Sequence, residues 1–434
     1  MITPMGQLPP WGDPERSGVR AGESLPANCR IALYSHDTVG IGHMRRHSLI
    51  AQLLCDDSPG ATILLVAGAK EAAAFTLPER VDCLTLPALR KSTNGEYGSR
   101  CLGVSLDELA ALRAKTIRAA LEAFDPDVLI ADNVPRGACR ELDSSLEYMR
   151  SRGRARCVLG LRDILDDPVT ISDEWQSAEN EEVIRQFYDA VWVYGDPRVF
   201  DLAREYRWPA DIAAKLCYTG YFDHRLRKQY AEDEAARLLS AHVAPQERLA
   251  LCLVGGGEDG GELAEAFAAA RFSPGTKGLV LMGPYMPQPI RRRLCALAVS
   301  QPRVRVVDFI TDPTVLLSRA DRIVAMGGYN TVYEVLSVEK HALIVPRVRP
   351  RREQLLRAER LRNLGLVDML HPNNLNSRVI TDWLKRDLGA APRAAERIDM
   401  NGAARLPRLL RQVLARVRSP APAEPNEVID CVSG

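Results

Sequence analysis

Short apolar runs alternate with stretches of helical periodicity along nearly the whole chain. In the first half the runs fall at 31–35, 61–67, 81–86, 127–131, 157–161 and 191–194. They are unbroken rather than alternating, which suits strands covered on both faces. Helical spacing fills 42–55, 105–124, 137–151 and 173–189 between them. The pattern breaks at 223–246, where Asp223-His224-Arg225-Leu226-Arg227-Lys228 leads into a polar helix, read as a linker. It then restarts, with strands expected at 249–254, 278–282, 304–308, 322–326 and 342–346. Helices are expected at 260–271, 289–299, 313–318, 331–337, 353–364 and 403–417. This β-α rhythm predicts an α/β protein, two Rossmann-like lobes whose parallel sheets face a central cleft.

The division expected is an N-terminal extension (1–28), a first lobe (29–222), the linker (223–246) and a second lobe (247–388). A helical segment (389–418) and a Pro-rich tail (419–434) complete it, the extension and tail being expected to be disordered. Length agrees, since 434 residues exceed what one hydrophobic core serves. Met1–Asn28 has no apolar core segment and does not read as a signal peptide. No run of 18 apolar residues exists, so no membrane span is expected.

Charge narrows the function classes. Lys and Arg number 57 against 56 Asp and Glu, leaving no global electrostatic case for nucleic acid or a polybasic membrane contact. Forty-nine of the 57 basic residues are Arg, a supply of planar forks suited to phosphate. The ten Cys are scattered without a C-x-x-C pair, so neither a disulfide framework nor a zinc site is expected, and a cytoplasmic location is.

Four segments carry candidate chemistry. The first strand runs into Gly40-Ile41-Gly42-His43-Met44-Arg45-Arg46, a glycine turn opening a helix whose free N–H groups attract anions. Arg45 stands where a dinucleotide fingerprint needs its third glycine, which argues against that motif. His43 would serve as a general base or phosphate contact, or simply cap and pack. Gly255-Gly256-Gly257-Glu258-Asp259-Gly260-Gly261 repeats the strand–glycine–helix logic and would suit a diphosphate; a flexible connection is the plainer reading. In Met326-Gly327-Gly328-Tyr329-Asn330-Thr331-Val332-Tyr333-Glu334 two readings stand side by side. Thr331 and Glu334 match a capping box. Alternatively Asn330 and Thr331 donate to phosphate and Glu334 accepts from a ribose diol. Last, Pro346-Arg347-Val348-Arg349-Pro350-Arg351-Arg352 crowds four Arg into six residues, calling for an anion or nearby carboxylates, before Glu353 and Gln354 open a helix.

In order and spacing these segments resemble the GT-B nucleotide-sugar glycosyltransferases, over roughly 30–388. The likeness is nearest to the family that includes the peptidoglycan lipid-intermediate N-acetylglucosaminyltransferase, and to bacterial family 28-like glycosyltransferases. Gly40-Ile41-Gly42-His43 looks like its N-terminal glycine loop, Gly255-Gly256-Gly257 like the loop opening the donor lobe, and 326–334 like the donor signature. The resemblance implies that Glu334 holds the ribose, with Gly327, Gly328, Asn330, Thr331 and Arg352 at the donor. Glu353-Gln354 falls where the family has a Gln pair facing the donor sugar, so Glu353 departs from the pattern.

It further implies inverting transfer with neither a bound metal nor a cofactor, the diphosphate charge being met by helix N-termini and Arg. Asp125-Pro126-Asp127 reads as a turn rather than a metal site. His43 would accept the acceptor's proton with Asp132 orienting it, Asp163 and Asp37 being the carboxylate alternatives. Arg162 and Asp163 would lie on the acceptor side. The partners expected are a nucleotide sugar, UDP-linked with UDP-N-acetylglucosamine as a candidate, and a small-molecule or lipid-linked acceptor, bound by a monomer or homodimer. A mobile polar loop at 90–103 would cover the acceptor. A nucleotide-sugar 2-epimerase and a non-catalytic nucleotide-sugar-binding protein are the competing readings.

Overall fold

A computed structural model describes residues 25–26, 28–36, 42–68, 72, 75–91, 97–230, 233–310 and 312–415. Gly40, Asp37, the tail 419–434 and nearly all of the expected extension 1–28 lie outside these residues.

The first lobe is built on β1 (Arg30–Ser35), β2 (Thr62–Ala67), β3 (Val81–Thr85), β6 (Val128–Asp132), β7 (Arg156–Arg162), β8 (Ala190–Tyr194) and β9 (Leu216–Tyr218). They form one parallel sheet in the order β3-β2-β1-β6-β7-β8-β9. Between them, β4 (Leu89–Lys91) and β5 (Tyr97–Ser99) pair as an antiparallel hairpin. The second lobe carries β10 (Arg248–Leu253), β11 (Thr276–Leu281), β12 (Val304–Val307), β13 (Arg322–Met326), β14 (His341–Val345) and β15 (Asp368–Met369). These are parallel too, in the order β12-β11-β10-β13-β14-β15.

The unbroken apolar runs are the central strands. Ile31, Leu33, Leu129, Ile130, Leu251 and Val324 are all fully buried between helix layers. Each such side chain contributes roughly 1.5–3 kcal/mol relative to exposure. Strand order reverses between β1 and β6 in one lobe and between β10 and β13 in the other. Helices leave such a pair on opposite faces, opening a crevice at the strands' carboxyl ends, where α/β proteins bind ligands. Ser35, Asp132, Leu253 and Met326 end those four strands and so mark the two crevices.

Several expectations need correction. The helix expected at 173–189 is two, Pro168–Ser177 and Asn180–Phe187, because Glu179 between them adopts a left-handed φ of 53°. The one expected at 137–151 is a short 3-10 turn followed by Asp143–Arg152, broken by Cys139 at φ 51°. Part of the loop expected at 90–103 is the β4–β5 hairpin. Strands β9 and β15 and the helix Ser377–Lys385 were not expected. The C-terminal helix Gly402–Ala415 returns to the first lobe: Gly402 N–H donates to the Tyr221 carbonyl (3.0 Å) and Arg411 pairs with Asp57 (2.7 Å). Asp125 and Asp127 form a turn as expected, Asp127 accepting from the Arg30 amide (2.8 Å).

Candidate functional site

The first crevice is built by the helix Gly42–Asp57, which follows β1. His43, Arg46 and His47 stand three and four residues apart, hence on one face, and that face meets Asp132 at the end of β6. His43 Nδ1 lies 2.8 Å from Asp132 Oδ2. Arg46 Nη2 donates to the same oxygen, and His47 Nε2 is 3.6 Å from it. Asp132 is fully buried; burial alone would raise its pKa, but the Arg46 and His43 charges outweigh that and hold it well below the carboxylate range. Arg46 Nη2 also lies 3.1 Å from His43 Nδ1, so Asp132 and Arg46 both address that ring nitrogen. His43 is the exposed member, its side chain 18% accessible against 0% for Asp132. The rings of His36 and His43 are 4.9 Å apart. His36 and His47 are buried, and desolvation keeps both neutral, His47 with a pKa lowered to about 4.

The second lobe presents its helix Tyr329–Ser337 to this face. Gly42 packs closely there: a Cβ on it would stand 2.4 Å from Asn330 Nδ2, so that side chain would have to move. Arg46 lies between the rings of Tyr194 (5.2 Å) and Tyr329 (5.1 Å), while Tyr329 Oη donates to the Tyr194 carbonyl (2.7 Å). Gly328 is the helix N-cap and no side chain caps it. The capping-box reading of Thr331 and Glu334 is therefore wrong; both lie inside the helix, their side chains free for other work.

That work is in the second crevice, a narrow cleft lined by Arg45, Gly255, Phe309, Ile310, Thr331 and Glu334 among others. Gly255 holds φ 60°, a conformation that suits glycine, and faces Thr331 Oγ1. Gly257 instead packs against the backbone of Gly283, so its role is structural, and the Gly256 carbonyl accepts from the Tyr285 amide. Glu334 is buried, and desolvation raises its pKa despite Arg45, whose Nη1 lies 3.4 and 3.5 Å from its two oxygens. Arg45 Nη2 also donates to the Ile310 carbonyl (3.2 Å).

The other expected residues sit where the lobes meet. Asp163 is wholly buried, held by Arg357 through Nη2 (2.7 Å) and Nε (3.1 Å) and by the hydroxyls of Tyr221 and Tyr333. With both oxygens committed it presents nothing to an acceptor, which corrects its acceptor-side placing. Arg162 donates to Asn133 (3.2 Å). Gln354 accepts from the Arg347 amide (3.1 Å) and packs against Gly327, whose carbonyl accepts from Arg357. The arginine run meets carboxylates: Arg347 pairs with Glu353 (2.6 Å) and Asp259 (3.1 Å), Arg351 with Glu174 (2.6 Å) and Asp166 (3.2 Å). Glu353 is consequently held ionised, its pKa lowered by Arg347, Arg162 and Arg357 against the effect of burial, and its Oε2 has no partner. Arg352 is exposed, contributing its amide to Asp166 (2.7 Å).

Sequence reasoning missed the parts played by Arg45 and His47. The spacing of His43, Arg46 and His47 was a usable signal; nothing local ties Arg45 to Glu334. Among the described residues no cluster of three or more His, Cys, Asp or Glu is arranged to hold a metal ion, and no helix is long and apolar enough to cross a membrane.

Residues 251–413 match the glycosyltransferase family 28 C-terminal domain. No curated protein matches the chain by sequence. Among solved structures it is similar to the UDP-GlcNAc 2-epimerase of Methanocaldococcus jannaschii (TM-score 0.58, 12% identity, covering 88% of this chain and 99% of that one). It is similar as well to the Neisseria meningitidis UDP-GlcNAc 2-epimerase bound to UDP-GlcNAc (0.57, 12%, 89% and 99%) and to a glycosyltransferase from Rickettsia africae (0.51, 14%, 89% and 93%). The fold is thus GT-B, two Rossmann-like lobes about a cleft, the fold of nucleotide-sugar-using glycosyltransferases and 2-epimerases.

Proposed function

We propose that the chain is an inverting glycosyltransferase that moves a sugar from a nucleoside diphosphate, UDP being favoured and UDP-N-acetylglucosamine the first donor to try, to an acceptor hydroxyl. The observation that carries this reading is the His43–Asp132 pair, set in one crevice and facing the Glu334 cleft of the other lobe. His43 takes the acceptor proton as its oxygen attacks the anomeric carbon; Asp132, neutralised by Arg46, holds the ring in place. Glu334 accepts from the ribose, and Gly255, Thr331 and the amides opening the helix Tyr329–Ser337 receive the diphosphate, with no metal called for. His43→Ala is expected to cut turnover by about 10²–10⁴-fold while the fold stays intact. Near-normal turnover would remove His43 from that role.

One observation favours a second reading, 2-epimerisation of the nucleotide sugar. Asp163 is locked in the lobe junction, so among the described residues the acceptor-side carboxylate expected of a transferase is not available. Incubation with UDP-N-acetylglucosamine alone separates the two. Inversion at C2 without any acceptor supports the epimerase; UDP release only on adding an acceptor supports the transferase.

A further inference from the structure

Where the lobes meet, Arg46, Arg162, Arg347 and Arg357 gather around Asp132, Asp163 and Glu353, and one of these arginines stands apart. Arg46 pairs with Asp132, Arg357 with Asp163 (2.7 Å), and Arg347 with Glu353 (2.6 Å) and Asp259 (3.1 Å). Arg162, the last residue of β7, is ion-paired to no carboxylate among the described residues. Its one hydrogen bond runs from Nε to Asn133 Oδ1 (3.2 Å), which leaves Nη1 and Nη2 without a partner. Asn133 is placed to hold it: the residue follows Asp132, adopts a left-handed φ of 69° and donates its amide to the Gly160 carbonyl (2.7 Å). Burial lowers the pKa of Arg162, and the charges of Glu353 and Asp132 do not make up the difference. A guanidinium so oriented and so poorly compensated gains from an anion.

Position says which part of a ligand that anion belongs to. Arg162 feels Asp132 and Arg46 of the first crevice and Glu353 and Arg357 of the second lobe. It therefore lies between the proposed base and the start of the helix Glu353–Asn363, the space a sugar must occupy to be attacked there. Glu353 Oε2, from the facing lobe, is unpartnered as well. A carboxylate accepts two parallel bonds from the edge of a guanidinium, which the single oxygen of a hydroxyl meets less well. We infer that Arg162 is a specificity-determining residue that binds a carboxylate on the transferred sugar, so that the donor is a nucleoside-diphosphate uronate. A hydroxyl of the same ring donates to Glu353 Oε2. This rests on the nucleotide-sugar reading and narrows its donor.

Calorimetric titration of UDP, UDP-glucose and UDP-glucuronate into wild type, Arg162→Met and Arg162→Lys tests it, the two sugars differing only at C6. Wild type is expected to bind UDP-glucuronate about 10- to 100-fold more tightly than UDP-glucose, and Arg162→Met to bring the two within about twofold with its affinity for UDP kept. Arg162→Lys, which keeps the charge without the fork, is expected to retain part of the preference and serves if the Met variant does not fold. Equal affinity of wild type for the two sugars overturns the inference and leaves the nucleotide reading standing. A loss of UDP affinity in Arg162→Met as large as its loss of UDP-glucuronate affinity overturns it too, by giving the guanidinium to the diphosphate. Failure of UDP to bind wild type overturns the UDP-linked reading and the inference together.

Discussion

Two of the arginine–carboxylate pairs that join the lobes behave differently. Arg357 and Asp163 are both fully buried, matched through two guanidinium nitrogens, and reinforced by Tyr221 and Tyr333, whose rings stack at 3.7 Å. Arg45 and Glu334 touch at the limit of contact beside an open cleft. The first pair is matched at short range on both carboxylate oxygens and acts as a fixed junction; the second is joined by one long contact. Burial of a charged pair is thus no guide to its role by itself; how closely the two groups are matched is.

The largest effect expected from breaking this contrast is at the junction. Arg357→Met strands a buried Asp163 charge and should cost about 3–5 kcal/mol in urea unfolding, whereas a cost under about 1 kcal/mol would make the junction ordinary. Acid should come next. His47 and His224 are buried with pKa values lowered to about 4, against roughly 6.5 when unfolded. The unfolded chain therefore binds protons that the native one refuses. Stability is full above pH 6.5 and falls towards pH 4 by up to about 1.4 kcal/mol per pH unit for each ring. His224→Gln should flatten that slope in pH-dependent melting; an unchanged slope would assign it to other groups. Tyr333→Phe, which removes one donor from Asp163, should cost about 1.5–3 kcal/mol in the same urea assay. Smallest of all, Glu334→Gln should alter stability by less than about 1 kcal/mol, because the pair it breaks is loose. A loss as large as that of Arg357→Met would erase the distinction between the two pairs.

Much of this was legible in the chain. Unbroken runs such as Val128-Leu129-Ile130-Ala131 announced parallel strands, and the order of strands and helices announced two lobes. The glycine turns pointed to the crevices because they follow strands at the switch points. What could not be read is what long-range contact decides. Arg357 and Asp163 are 194 residues apart, and the arginine run seemed to call for phosphate until Asp166, Glu174 and Asp259 were seen beside it. Thr331 and Glu334 matched a local motif that the helix start at Gly328 does not use. The helix Ser377–Lys385 had a readable signal: Asn376 caps it, and Val379, Ile380 and Trp383 follow at helical spacing. β9 and β15 are only three and two residues long, too short for a pattern to register.

The central claim, that the Glu334 cleft grips a nucleoside diphosphate, is tested most directly by thermal shift with UDP, dTDP, GDP, ADP and NAD on wild type and Glu334→Ala. A diphosphate at 100 times its dissociation constant should stabilise wild type by roughly 2.7 kcal/mol and leave the variant nearly unmoved. Equal shifts in both proteins, or a shift by NAD alone, would contradict the account.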